Sequence, residues 1–429
     1  MPNAVAFAWV MAFVLVLAAQ PRAQDRPRTT HDIVQLALDR NRDLLGARQR
    51  VAEAQGLLRL AGVRLNPTVE LDAGTGRPLG TQGEREYSAS YFQPIETAGK
   101  RGKRVAVGQT DVALAEADVA ERARQFVFDL KRQVAEAWAA QAKNEALARL
   151  LTAIEESYRL TKARVAEGDA SVLEEQLLAT EVARVQAQRA TFGGRVAGAL
   201  LELRRVIGMP TKEPLTLATE SPLDRDLALA DLTTRAASVR ADLQAAKAAE
   251  ERAAAALSLA HAEGVPDLTV SARYTHRTSE FEQLYGVTAL GTPSLLFDRD
   301  NVLSVGLSIP IFAPGRNKGN VEAAQARATA ARLHREYIEA SIPHEVEAAY
   351  HRWAAARQTL ELYRRGIIDQ AERNLAVMRQ AYTLGQLRLI DVLNEQRRLI
   401  DTELAGVDAH TELAEAAADL ERAVGTDLP

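Results

Sequence analysis

The sequence predicts a mainly α-helical, internally duplicated chain with a small β part. Three observations lead there. The chain repeats itself once, at a spacing of roughly 200 residues. Each repeat holds two helical runs far longer than a compact domain needs. Each also holds two alternating segments of the length a tilted strand takes to cross hydrocarbon. Composition agrees. With 47% hydrophobic residues the chain has ample apolar side chain to bury. Its net charge of −4 removes the electrostatic case for nucleic acid. It has no cysteine, which excludes disulfides, cysteine-held zinc, a thiol nucleophile and a lipid on an N-terminal cysteine.

Residues 1–23 read as a signal peptide. An uncharged apolar run covers 4–19, with cleavage after Ala19 or Ala23. The segment Met1–Asn3 lacks the usual basic residue, so an uncleaved anchor is the other reading. No other stretch nears 18 apolar residues, so the mature chain is expected to have no membrane-spanning helix.

The first repeat occupies 24–208, a linker 209–228, and the second repeat 229–425. Asp43 and Leu44 align with Asp242 and Leu243 at an offset of 199. Val206-Ile207-Gly208 aligns with Ala423-Val424-Gly425 at 217. Nearly all the length difference falls between 77–85 and 277–300, which reads as one lengthened loop. Within 31–62, Ala37, Leu44, Val51 and Leu58 recur at heptad spacing, with Ala47, Ala54 and Ala61 beside them, so this segment and its counterpart 230–262 are expected as helices. Long antiparallel helix pairs are expected over 101–166 with 170–207, and over 316–383 with 387–424. A run of that length spans about 100 Å as a helix. Gly168 and Gly385 suit C-caps in the turns between them. Pro343 is expected to kink the second pair near 339–343, and Gly193-Gly194 to loosen the first.

Strands are expected at 68–76, 86–95, 267–276 and 301–312. In the last, Leu303, Val305, Leu307 and Ile309 point one way, toward lipid, and Ser304 and Ser308 the other, toward a lumen. Four strands cannot close a barrel, and open edges are not tolerated in lipid, so the barrel must be shared between copies. Soluble hairpins flanking a helical bundle are the alternative.

The layout, the strand exits QPIETAGKRGKR and SIPIFAPGRNKG, and the turn AYTLGQLRLIDVLNEQ resemble the TolC-like outer-membrane efflux proteins. The resemblance covers about residues 30–425, and GKRGKR is most similar to the heavy-metal efflux branch. It implies a homotrimer in the outer membrane, with a shared twelve-stranded β-barrel and a long periplasmic α-barrel. It further implies a passive exit duct working with a periplasmic adaptor and an inner-membrane efflux pump, metal ions being one cargo. The same architecture serves type I protein secretion, and a soluble periplasmic coiled-coil scaffold is the reading from another class. The resemblance places a channel constriction at Asp391, Asn394, Tyr382 and Glu174, and adaptor docking at the turns of Gly168 and Gly385. Asp391 and Asn394 are three apart, so they share a helix face. Where the family often carries two carboxylates at those positions, this chain has one.

No catalytic constellation stands beside this. His344-Glu345 and His351 echo a metalloprotease helix, but histidines seven apart lie about 10.5 Å apart along a helix axis, too far for one ion. No histidine pair has ligand spacing, so neither a high-affinity metal site nor a cofactor is expected. The glycines at 74, 76 and 80 lack the dinucleotide spacing. Lys100, Arg101, Lys103 and Arg104 leave two readings open: contact with anionic head groups, or a solvated helix start.

Overall fold

The helix that opens each repeat breaks at the same place. In the computed structural model, 31–62 folds as α1 (Thr30–Arg40) and α2 (Arg42–Ala61). Its counterpart folds as α5 (Leu229–Val239) and α6 (Ala241–Glu263). The break residues are Asn41 and Arg240, both extended, with ψ of 117° and 126°. Heptad spacing runs through Asn41 and hides the break. The Asn41 side chain makes it, because Oδ1 accepts the N–H of Asp43 and of Leu44 at 2.9 and 3.0 Å and so caps α2. The structure describes residues 27–76, 78, 84–218, 226–311 and 315–428. The signal segment, most of the 77–83 loop, part of the linker and the end of the fourth expected strand lie outside the described residues.

The first long pair is α3 (Lys100–Glu167) and α4 (Val172–Ile207). The second is α7 (Lys318–Leu362), a π-turn (Tyr363–Ile367), α8 (Ile368–Thr383) and α9 (Leu389–Val424). α4 runs unbroken past Gly193-Gly194, and α7 runs unbroken through Pro343. A π-turn follows further along, and just beyond it Ile368 Cδ1 lies 3.1 Å from where a Cβ on Gly406 would sit.

The strands are β1 (Thr68–Thr75), β2 (Arg85–Ile95), β3 (Leu268–Val287) and β4 (Pro293–Ser308), all antiparallel in the order β1-β2-β3-β4. The first two match expectation. The second two correct it. Residues 277–300 are mostly strand, turning through Thr288–Thr292 with Gly291 at φ +78°. β4 ends at Ser308, so Ile309 lies beyond the strand. Pro310 follows, and proline has no N–H to continue a ladder.

Contacts divide the chain into two units. One comprises the chain up to Leu45, Arg122–Arg240 and Ile342–Pro429; the other comprises Gly46–Glu121 and Ala241–Ser341. The first unit is helical, and apolar cores form within it. One gathers Ile33, Ala37, Leu130, Leu203 and Ile207 around α1, α3 and α4. Another gathers Leu147, Ile154, Leu178, Val185, Leu389 and Leu393 where α3, α4 and α9 meet. The second unit holds the sheet, with α6 and parts of α2, α3 and α7.

Candidate functional site

The sheet has two chemically distinct faces. Strand register puts Val69, Tyr91, Ala272 and Val305 in one row and Leu71, Ala89, Tyr274 and Leu303 in the next. Leu307 extends the same face beside Val270. On the opposite face stand Glu70, Ser90, Arg273 and Ser304, then Asp72, Ser88, Thr275 and Val302. The apolar face is uncovered within the chain: Leu303, Val305 and Leu307 are 73%, 76% and 63% exposed. An apolar patch of this kind marks a surface that meets protein or lipid. β1 and β4 each have one edge with no strand partner among the described residues. No helix among the described residues is long and apolar enough to cross a membrane.

The basic run after β2 has a use that neither open reading anticipated. Lys100 Nζ donates to the Val265 carbonyl at 2.6 Å and pairs with Asp267 at 2.7 Å. Arg101 Nε donates to the Gly62 carbonyl at 2.7 Å, and Lys103 Nζ to that of Ser258 at 3.2 Å. Arg104 pairs with Glu96 and reaches the Val63 carbonyl. The Gly62, Val63 and Val265 carbonyls lie just beyond α2 and α6, where acceptors lack helical partners and cations are favoured, and that of Ser258 lies near the end of α6. Asp267 is pushed up by burial, but the bonds from Lys100 and Thr97 outweigh this and hold it below the usual carboxylate range.

In the helical unit, Gly168 and Gly385 close their helices in one geometry. Gly168 has φ +81°, with N–H bonds from Gly168 to Val165 and from Asp169 to Arg164. Gly385 has φ +72°, with the same bonds from Gly385 to Tyr382 and from Gln386 to Ala381. A left-handed residue is required at both places, so both are glycine, and both are exposed.

Tyr382, at the end of α8, donates its hydroxyl to Glu174 Oε2 on α4 at 3.2 Å. The ring packs against the second helical core. Burial, then the nearby Glu174 carboxylate, raises the phenol's pKa, so Tyr382 remains a donor at neutral pH. Asp391 makes its polar contacts within its own turn. Its carboxylate accepts the Arg388 N–H at 3.2 Å and lies 3.6 Å from Arg388 Nε, capping the start of α9. Asn394 is exposed on the same helix, and Val392 and Leu393 between them are buried.

A polar cluster near these residues escaped the sequence reading. The Glu181 side chain is only 3% exposed and is gripped by Arg184 of its own helix and by Arg397 of α9, at 2.6 Å from Nη2. Burial pushes its pKa up, but the bonds from Arg397 and Arg184 outweigh burial and hold it below the usual range. The Glu181–Arg184 spacing was visible as a helix pair; Arg397 is 216 residues away. The histidine motif dissolves: Glu345 accepts from Arg240 at 2.8 Å, and His351 lies 3.9 Å from Glu347. Among the described residues no group of three His, Asp or Glu side chains could hold a metal ion.

The fold is that of the TolC-like outer-membrane channels. CusC, whose crystal structures concern folding and transmembrane channel formation, superposes with a TM-score of 0.73 over 95% of this chain and 94% of that one, at 19% identity. The outer membrane efflux protein family matches residues 33–209 and 232–426, the two repeats, and the chain belongs to this family. Among its relatives are the probable outer membrane lipoprotein SilC of Salmonella typhimurium and the pyoverdine export outer membrane protein OpmQ of Pseudomonas putida. SilC is 23% identical over 384 residues, 87% of this chain and 80% of SilC. OpmQ is 25% identical over 402 residues, 86% of this chain and 80% of OpmQ.

Proposed function

We propose that the chain is the outer-membrane exit duct of a tripartite efflux system, working as a homotrimer. The observation that carries this reading is the four-stranded sheet, apolar and exposed on one face, polar on the other, with two open edges. Such a sheet is stable in hydrocarbon only when its edges are paired, so β1 of one copy meets β4 of the next and three copies make twelve strands. On β3, Leu268–His276 supplies nine residues of the apolar-faced region, the length a tilted strand needs to cross. The helical hairpins form the periplasmic tunnel.

The duct is passive. An inner-membrane pump supplies the energy, and a periplasmic adaptor docks at the exposed turns of Gly168 and Gly385. Asp391 rings the pore with Asn394 beside it, while the Tyr382–Glu174 bond holds the second hairpin inward; opening breaks that bond without melting helices. The resemblance of GKRGKR to the heavy-metal efflux branch makes metal ions the first cargo to test.

The test is location and facing together. Cysteines placed singly at Ser304 and Val305 should label differently with a membrane-impermeant, water-soluble thiol reagent, 304 fast and 305 slow, in an outer-membrane fraction that yields heat-stable trimers. A soluble monomer, or faster labelling at 305, would overturn the reading.

A further inference from the structure

We propose that the polar face of the sheet is a second selectivity element of the duct, one that favours small cations inside the barrel independently of the helix-turn constriction. The proposal rests on the reading of the sheet as one third of a shared barrel.

Six charged side chains stand on this face within the four-stranded part. Register places Glu70 in a row with Arg273, Asp72 in the next, and Glu86, Arg277 and Asp300 together in the one beyond. Four carboxylates against two guanidiniums leave each copy two negative charges in excess. All six side chains are exposed. Among the described residues none of them forms an ion pair; Asp72 accepts a hydrogen bond from the neutral Ser88 hydroxyl at 3.1 Å. The positive charges are confined to β3, while β1, β2 and β4 carry only acids on this face.

A face that only had to stay wet would need serines and threonines, which this one also has at Thr275 and Ser304. The sign imbalance does something further. Charges not cancelled at contact distance act over roughly a Debye length, about 10 Å at 0.1 M salt and about 30 Å at 0.01 M. At low ionic strength the field therefore reaches well into a barrel lumen, enriching cations and depleting anions. At 1 M it is screened within about 3 Å and the barrel becomes indifferent. A ring at a narrow constriction keeps its preference at salt concentrations where a wide charged wall loses it, so salt separates the two elements.

The experiment measures the K⁺/Cl⁻ permeability ratio from reversal potentials of single trimers in planar bilayers, in KCl gradients centred near 0.02 M and near 1 M. All channels carry Asp391→Ala, which removes the helix-turn ring. Adding Glu70→Gln, Asp72→Asn, Glu86→Gln and Asp300→Asn should lower the low-salt ratio by roughly two-fold or more and leave the high-salt ratio alone. Adding Arg273→Gln and Arg277→Gln instead should raise the low-salt ratio. If the fourfold variant fails to assemble as a heat-stable trimer, the arginine pair decides alone. A low-salt ratio that the arginine pair leaves unchanged overturns the proposal. Cysteine labelling at 304 and 305 separates this from failure of the barrel reading. Correct facing with unmoved ratios removes only the selectivity element, whereas inverted facing removes the barrel.

Discussion

Arg240 stands where Asn41 stands one repeat earlier, and both side chains serve the same end. Asn41 Nδ2 donates to the Val206 carbonyl at 2.8 Å, and Arg240 Nη1 to the Ala423 carbonyl at 3.4 Å. Val206 and Ala423 each lie two residues before the glycine that closes the repeat. Gly208 and Gly425 sit so close to the break residues that a Cβ would come within 3.0 Å of the Arg40 carbonyl oxygen or of Arg240 Cγ. The duplication is thus preserved as a contact, with a different side chain making it in each half.

The first prediction tests that contact. Asn41→Ala removes both the cap of α2 and the bond to Val206, and should cost about 2 kcal/mol. Arg240→Ala should cost about 3 kcal/mol, because the side chain is almost fully buried and its loss leaves a cavity and an unpaired Ala423 carbonyl. Gly208→Ala should also destabilise, since φ there is +81° and the space is occupied. Urea midpoints of the detergent-solubilised protein would show all three; a midpoint for Asn41→Ala equal to wild type would contradict the shared role.

The second concerns pH. The Glu181 carboxylate has a folded-state pKa below its ordinary value, so its stabilisation is present above the unfolded value near 4.5 and is lost as pH falls through the folded value. Glu181→Gln should therefore lower the melting temperature at pH 7, and the gap to wild type should close in acid below about pH 4.5. A gap that is constant from pH 7 to pH 3 would mean that the carboxylate charge is not what holds α4 to α9.

The constriction gives the third. Tyr382→Phe with Glu174→Ala breaks the Tyr382–Glu174 bond between α8 and α4 and should raise single-channel conductance in planar bilayers. If Asp391 rings the pore as proposed, Asp391→Ala should reduce cation selectivity and block by multivalent cations at high salt. If conductance, selectivity and block all stay as in wild type, the constriction lies elsewhere.

A fourth prediction concerns the apolar face. Val305→Arg should cost about 2–4 kcal/mol of folding stability in lipid if the position lies near the midplane. Ser304→Arg, one residue away on the other face, should cost far less. Refolding into lipid vesicles with urea titration measures both, and equal costs would place both positions in water.

The extended hairpin of β3 and β4 shows where sequence reading loses its grip. Leu303, Val305 and Leu307 alternate with Ser304 and Gly306, so this part of β4 was legible as a strand. Beyond Asn301 the pattern Phe297, Asp298, Arg299, Asp300 has no clean period of two. Past the end of β2 the hairpin has no further strand beside it among the described residues, so neither face is forced to be apolar, and a segment without alternation looks like a loop. The ladder that makes it a strand belongs to pairs such as Glu280 with Phe297, not to either residue alone.

By itself the sequence determined the duplication, the two long hairpins, the turns at Gly168 and Gly385, and the faces of the strands. Each of these is written in local spacing: a heptad, a period of two, or a glycine where the backbone turns left-handed. Only the tertiary structure decided that Asn41 and Arg240 break their helices against the far end of the same repeat. It also decided that Lys100, Arg101, Lys103 and Arg104 serve carbonyls at or near the ends of α2 and α6, and that Glu181 is buried between Arg184 and Arg397. Arg184 apart, those are polar groups satisfied by partners scores to hundreds of residues away in the chain. A side chain's need for a partner is visible in its chemistry, but which partner meets that need is settled only when the chain has folded.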